Sequence, residues 1–114
     1  MPDSLVSLQR LMDTLNQRNQ ERPAQSYTTK LLEGGVDAIG RKVNEEAVEF
    51  IEAAAEAGED GRQHAIYEAA DLIYHAMVLM AWRGIELCEV TNELARREGT
   101  SGLDEKASRT EDAS

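Results

Sequence analysis

Hydrophobic residues along this chain recur at helical spacing and show almost no strand-like alternation. From Ser4 to about Arg18, Leu5, Leu8, Met12 and Leu15 follow at steps of three and four, with Asp3 or Ser4 placed as an N-cap. Pro23, within NQERPAQ, stops that helix: it has no amide hydrogen, and its ring pushes the preceding residue out of helical angles. A short helical segment, YTTKLLEGG, is expected next, capped by Ser26 and stopped by Gly34 and Gly35 in the left-handed conformation. Asp37 then reads as the cap of a long helix to about Ala57, with Gly40 in its first turn and GEDGRQ as a polar loop behind it. The spacing predicts a third long helix from about His64 to Arg83, stopped by Gly84. A last helix, from about Leu87 to Arg97, carries Leu87, Val90 and Leu94 on one side.

Only two prolines, 4% aromatic residues and an abundance of alanine, leucine and glutamate leave no strand signal. The expected fold class is therefore all-α, a bundle of about four to five helices. Residues 1–98 form the expected domain, and 99–114, rich in Ser, Thr, Gly, Asp and Lys, a polar and flexible tail.

Two of the helices carry carboxylates in a suggestive pattern. In KVNEEAVEFIEAAAE, a helical projection gathers Val43, Ala47, Phe50, Ile51 and Ala54 on one face and Glu45, Glu49, Glu52 and Glu56 on the other, with Glu46 at the border. Alone, this is an ordinary solvated stripe. The third helix differs: between Ala65 and Trp82 the only carboxylates, Glu68 and Asp71, stand in apolar surroundings, and His75 lies four residues beyond Asp71. A helix apolar almost all round is a buried one, and a buried carboxylate without a partner costs several kcal/mol. A basic partner (Lys30, Arg41, Lys42 or Arg83), protonation or a bound cation would each compensate. A Glu/Glu pair at i, i+3 facing a Glu/Asp pair at i, i+3 on an antiparallel neighbour presents four oxygen ligands to one point, which suits magnesium or manganese. The Glu-x-x-His spacing of a di-iron bundle is missing, because Asp71 stands where the histidine would be.

Charge narrows the partners. Twelve basic against 22 acidic residues give a net charge of -10, which repels nucleic-acid backbones and anionic membrane surfaces. A polyphosphate ligand would need a divalent cation to bridge it to so acidic a chain. The single cysteine, Cys88, excludes an internal disulfide and, with two histidines, a Cys/His zinc site. The start of the chain lacks the order of a signal peptide, and the apolar stretch from Ala65 to Trp82 is interrupted by Glu68, Asp71 and His75, so a cytoplasmic location is expected. At 114 residues a single core is only marginally self-sufficient, which favours an oligomer.

The EExxE of Glu45, Glu46 and Glu49, followed after eighteen residues by the ExxD of Glu68 and Asp71, resembles the all-α, MazG-like nucleoside triphosphate pyrophosphohydrolases. More narrowly, SYTTKLLEGGVDAIGRKVNEEAVEFIEAA, EAADLIYHAMVLMAWRGI and SGLDEKASR, in that order, resemble the phosphoribosyl-ATP pyrophosphohydrolase family over roughly residues 1 to 109. The resemblance implies hydrolysis of 1-(5-phosphoribosyl)-ATP to phosphoribosyl-AMP and pyrophosphate, the second step of histidine biosynthesis, on a bundle completed by dimerisation. It further implies that Glu46, Glu49, Glu68 and Asp71 hold Mg2+ (Mn2+ as a substitute). Glu45 would serve a second ion or orient the attacking water, so that Glu45 and Glu49 are the expected catalytic acids. Ser26, Tyr27, Thr28, Lys30, Lys42 and His75 are the expected substrate contacts, although capping by Ser26, pairing of Lys42 with Glu46 and a hydrogen-bonded core His75 explain those residues equally well. Asn44 departs from the glycine that many family members carry beside the metal motif. Two rivals remain: a house-cleaning enzyme for free nucleoside triphosphates, and a helical dimerisation module whose acids are structural.

Overall fold

The computed structural model describes residues 4–98. Four helices follow one another: α1 (Ser4–Glu21), α2 (Tyr27–Ala54), α3 (Gly58–Arg83) and α4 (Leu87–Arg97). The all-α expectation is met, and α2 and α3 form an antiparallel pair against which α1 packs. Met12 and Leu15 of α1, Leu31, Leu32 and Ile39 of α2, and Met77, Val78 and Ala81 of α3 make one buried cluster. Each large apolar side chain in it stabilises the fold by about 1.5–3 kcal/mol. Asn19 donates to the Ala81 carbonyl at 3.1 Å, tying α1 to an acceptor in the last turn of α3. The expected Asp3 cap and the tail from Gly99 lie outside the described residues. Among the described residues, no helix is long and apolar enough to cross a membrane.

Local chemistry accounts for the boundaries. α1 ends two residues before Pro23. Ser26 caps α2 by accepting from the Thr29 amide at 3.2 Å. Gly84 closes α3 at φ 79, ψ 27, with the Gly84 amide on Ala81 and the Ile85 amide on Met80, the paired bonds of a Schellman turn. α4 opens on a capping box in which the Glu86 amide donates to the Glu89 carboxylate at 2.8 Å.

Two expectations need correction. GEDGRQ is not a loop but the first turns of α3, where Glu59 and Asp60 meet the positive end of the helix dipole. The connection is short because Gly61 lies against the Glu56 backbone, where a Cβ would collide with the carbonyl. The expected glycine break is present: Gly35 takes φ 68, ψ -156, a region open essentially to glycine, and α2 consists of two helical segments joined at a kink there.

Finally, the predicted apolar faces are only partly covered. Ala53 is fully buried whereas Ile51 is 67% exposed and Ala54 exposed, so the face of α2 that meets α3 is rotated toward Glu46. α3 is not enclosed all round either: Ile66, Tyr67 and Ile73 are exposed, as are Val90 and Leu94 of α4, where only Leu87 packs on the core.

Replacing Gly61 by alanine is expected to lower stability by about 1–3 kcal/mol through forced overpacking. Gly40→Ala, with nothing within 4 Å of the added carbon, should instead raise stability by roughly 0.5–1 kcal/mol. Chemical denaturation of both variants checks the pair; equal effects would contradict the packing assignment.

Candidate metal centre

The contact between α2 and α3 buries acids. Glu46 is 6% exposed and Glu68 6% exposed, each on the face its helix turns toward the other. One carboxylate oxygen from each of Glu46, Glu68 and Asp71 lies within 4.8 Å of the others. Glu49, one turn after Glu46 and exposed, lies near enough to act on the Glu68 carboxyl but is not one of the three that converge. Burial above all, then the Glu49 and Glu46 carboxyls and their charges, pushes the Glu68 carboxyl up to about 7. In the cation-free protein near neutrality, Glu68 is therefore protonated in a substantial fraction of molecules.

Basic side chains do little to relieve this crowding. Among the described residues, Lys42 is the only lysine or arginine paired with these acids, at 3.8 Å from Glu46; Lys30, Arg41 and Arg83 form no ion pair with them. Lys42 is held closer by Glu45, at 3.1 Å, which keeps Glu45 at the margin of the group with its side chain half exposed. Oε2 of Glu46 and Oε2 of Glu68 are buried without any hydrogen-bond partner; the one other such side-chain atom among the described residues is Oγ1 of Thr29. Unpaired buried carboxylate oxygens facing one another are costly, and a hard divalent cation is the complement they lack. Opposite oxygens around such a cation stand about 4–5 Å apart, so the group fits one with little movement.

The sequence did not single out His64. Its Nδ1 lies 3.0 Å from Glu56 and its Nε2 3.6 Å from Glu68, and the Glu56 hydrogen bond, followed by the charges of Glu56 and Glu68, raises its pKa above the ordinary value. The signal was present in the i, i+4 spacing of His64 and Glu68, but His64 had been placed at the frayed start of its helix.

The kink at Gly35 completes the site. In a straight helix Tyr27 would stand about 28 Å from Glu46 along the axis, whereas Glu68 and His75 are only about 10 Å apart on theirs. Yet the Tyr27 hydroxyl meets His75 Nε2 at 3.0 Å and the Thr28 hydroxyl meets that of Tyr74 at 2.5 Å, so the segment before the kink folds back beside the acids. Burial, with help from Tyr74, Glu46 and Glu45 and against the opposing Lys42, raises the Tyr27 phenol above its usual range, which sets it within electrostatic reach of the carboxylates. His75 is buried, donates from Nδ1 to the Asp71 carbonyl at 2.8 Å and is not part of the carboxylate group. Thr28 is buried on Tyr74 and Ser26 is committed to its cap, while Tyr27 and Lys30 are exposed. Asn44 is exposed beside Gly40 and Arg41, lining a shallow surface depression.

The chain is similar to known proteins over most of its length. A family model described as phosphoribosyl-ATP pyrophosphohydrolase matches residues 8–98. A phosphoribosyl-ATP pyrophosphatase of Rhodopirellula baltica is 74% identical over 109 residues, covering 96% of this chain and 91% of the relative. Those of Dechloromonas aromatica (46% identical; 90% and 92% covered) and Neisseria meningitidis serogroup C (42%; 97% and 99%) carry the same name.

Titrating Mg2+ or Mn2+ into the cation-free protein should raise its melting temperature saturably, by about 2.7 kcal/mol of stability at roughly a hundredfold excess over Kd. Glu68→Gln and Asp71→Asn should remove that response. Thermal shifts that are equal in wild type and both variants would show that the ion does not sit among these acids.

Proposed function

The chain belongs to the phosphoribosyl-ATP pyrophosphohydrolase family, and we propose from this that it hydrolyses 1-(5-phosphoribosyl)-ATP between the α and β phosphates, yielding phosphoribosyl-AMP and pyrophosphate in histidine biosynthesis. The observation that carries the mechanism is the group of Glu46, Glu68 and Asp71 with its two unpartnered buried oxygens. These three, with Glu49, would hold Mg2+ (or Mn2+). The bound ion would draw charge from the phosphoryl oxygens and offset repulsion between a polyphosphate and a chain of net charge -10.

The protein's own groups supply the rest. Glu49 is the exposed member of the four and borders Glu68, so it can orient a water and take its proton into the shared carboxyl pair. Glu45 holds Lys42 at the rim, where the ammonium can meet a phosphoryl oxygen. Tyr27 and Lys30, on the segment folded back by the kink, face outward for the remainder of the substrate. Thr28 and His75 support that segment from within. A cytoplasmic location goes with this reading.

The same reading includes a homo-oligomer. Ile66 and Ile73, seven residues apart on α3, and Val48 and Ile51, three apart on α2, form apolar stripes that no other described residue covers. Light scattering on the purified protein should report at least twice the chain mass, and a stable monomer at micromolar concentration would refute the assignment.

Incubation of wild type, Glu49→Gln and Asp71→Asn with phosphoribosyl-ATP and Mg2+ tests the activity. Wild type should release pyrophosphate, and each substitution should cost at least about 100-fold, beyond what loss of an outer-shell partner costs, while far-UV circular dichroism stays unchanged. Faster cleavage of free nucleoside triphosphates than of phosphoribosyl-ATP would favour the house-cleaning rival.

A further inference from the structure

Ser26, Tyr27 and Thr28 of SYTTK are expected substrate contacts, and of the hydroxyl-bearing residues in this segment only Tyr27 is exposed. Ser26 accepts from the Thr29 amide, Thr28 is buried against Tyr74 and Thr29 is buried, whereas Tyr27 is 51% exposed. The direction of its hydrogen bond follows from its neighbour. A carbonyl oxygen can only accept, so the contact between His75 Nδ1 and the Asp71 carbonyl at 2.8 Å requires the hydrogen on Nδ1. In the neutral ring Nε2 is then bare and can only accept, and Tyr27, 3.0 Å away, must donate its single hydroxyl hydrogen to it. What the Tyr27 oxygen still offers to solvent is lone pairs. Edge-on contacts of the His75 ring with Tyr27 and Tyr74, both at 87°, fix the imidazole in that orientation.

We propose that Tyr27 is a specificity-determining residue that accepts a hydrogen bond from a donor on the nucleotide, a sugar hydroxyl or a base N–H, and does not contact phosphoryl oxygens. A phosphoryl oxygen at this pH is an acceptor and has nothing to give to an oxygen whose hydrogen is already engaged. His75 is the positioning residue: it couples the metal-holding turn of α3, through the Asp71 carbonyl, to the segment that Gly35 folds back. The proposal rests on the reading of the substrate given above, but the state of the hydrogen bond does not.

Two measurements separate them. Nitrogen-15 NMR of the uncomplexed protein at pH 8 should find the His75 proton on Nδ1 with Nε2 bare; a proton on Nε2 would overturn the proposal whatever the enzyme does. Steady-state kinetics at saturating Mg2+ should then show KM for phosphoribosyl-ATP raised about 3–10-fold in Tyr27→Phe, the scale of one neutral hydrogen bond, with kcat within about twofold. A fall in kcat at unchanged KM, meaning a contact to the attacking water or the reacting phosphate, would overturn it, as would no change in either constant.

The 2′-deoxy analogue of the substrate, made from dATP, tests the 2′-hydroxyl as the donor. If that hydroxyl is the partner, the analogue loses affinity with wild type and nothing further with Tyr27→Phe. If the two losses multiply, the 2′-hydroxyl is not the partner, and the donor is another sugar hydroxyl or a base N–H. His75→Phe, which frees the Tyr27 hydrogen, should raise KM as Tyr27→Phe does, and His75→Gln, able to accept through its amide oxygen, should recover part of that loss. Absence of pyrophosphate release by wild type would sink the functional reading alone, leaving the NMR result to decide the hydrogen bond.

Discussion

Like charges facing one another across a dry helix contact are the constraint around which this molecule is arranged. Glu46 and Glu68 are buried where α2 meets α3, Asp71 stands beside them, and two of their oxygens have no partner at all. Burial first, then the neighbouring Glu49 and Glu46 carboxyls, disfavours the charged form and pushes the Glu68 carboxyl up to about 7. The core that opposes it is modest, a single cluster of eight buried apolar residues. A hard cation is the complement that such a donor set lacks.

A second device places the rest of the site. Glycine at position 35 adopts angles that other residues reach only under strain, and the fold-back it permits brings Tyr27 and Thr28 to the turn of α3 that carries Asp71 and His75. The segment before the kink consequently owes its place to three connections: the Ser26 cap, the Thr28–Tyr74 hydroxyl pair and the Tyr27–His75 bond. Only the last involves an exposed side chain. The Gly35 backbone also passes close to the Trp82 indole, so the bend rests on the C-terminal part of α3 as the acids rest on its middle.

Much of this was legible in the chain. Periodic leucine and methionine, a proline break and three capping signals specified a bundle of four to five helices, with α4 correct at both ends and α1 correct at its start, because those signals act over four or five residues. The convergence of Glu46 with Glu68 and Asp71 was also readable. An i, i+3 pair on each of two helices joined by a short connection has few other ways to face.

The sequence by itself determined the helical class, the family and the carboxylate pairs, all of them local spacings or ordered combinations of them. Tertiary structure alone decided that GEDGRQ is helical, since that depends on Gly61 lying against the Glu56 carbonyl. It also decided the rotation that buries Ala53 and leaves Ile51 outside, because which face of an alanine-rich helix turns inward is set by its neighbour and not by its own periodicity. Above all it decided the direction in which the chain bends at the glycine pair, and that His75 faces Tyr27 across 48 positions of sequence. Contacts so far apart along the chain depend on how whole helices are docked, and no local pattern encodes that.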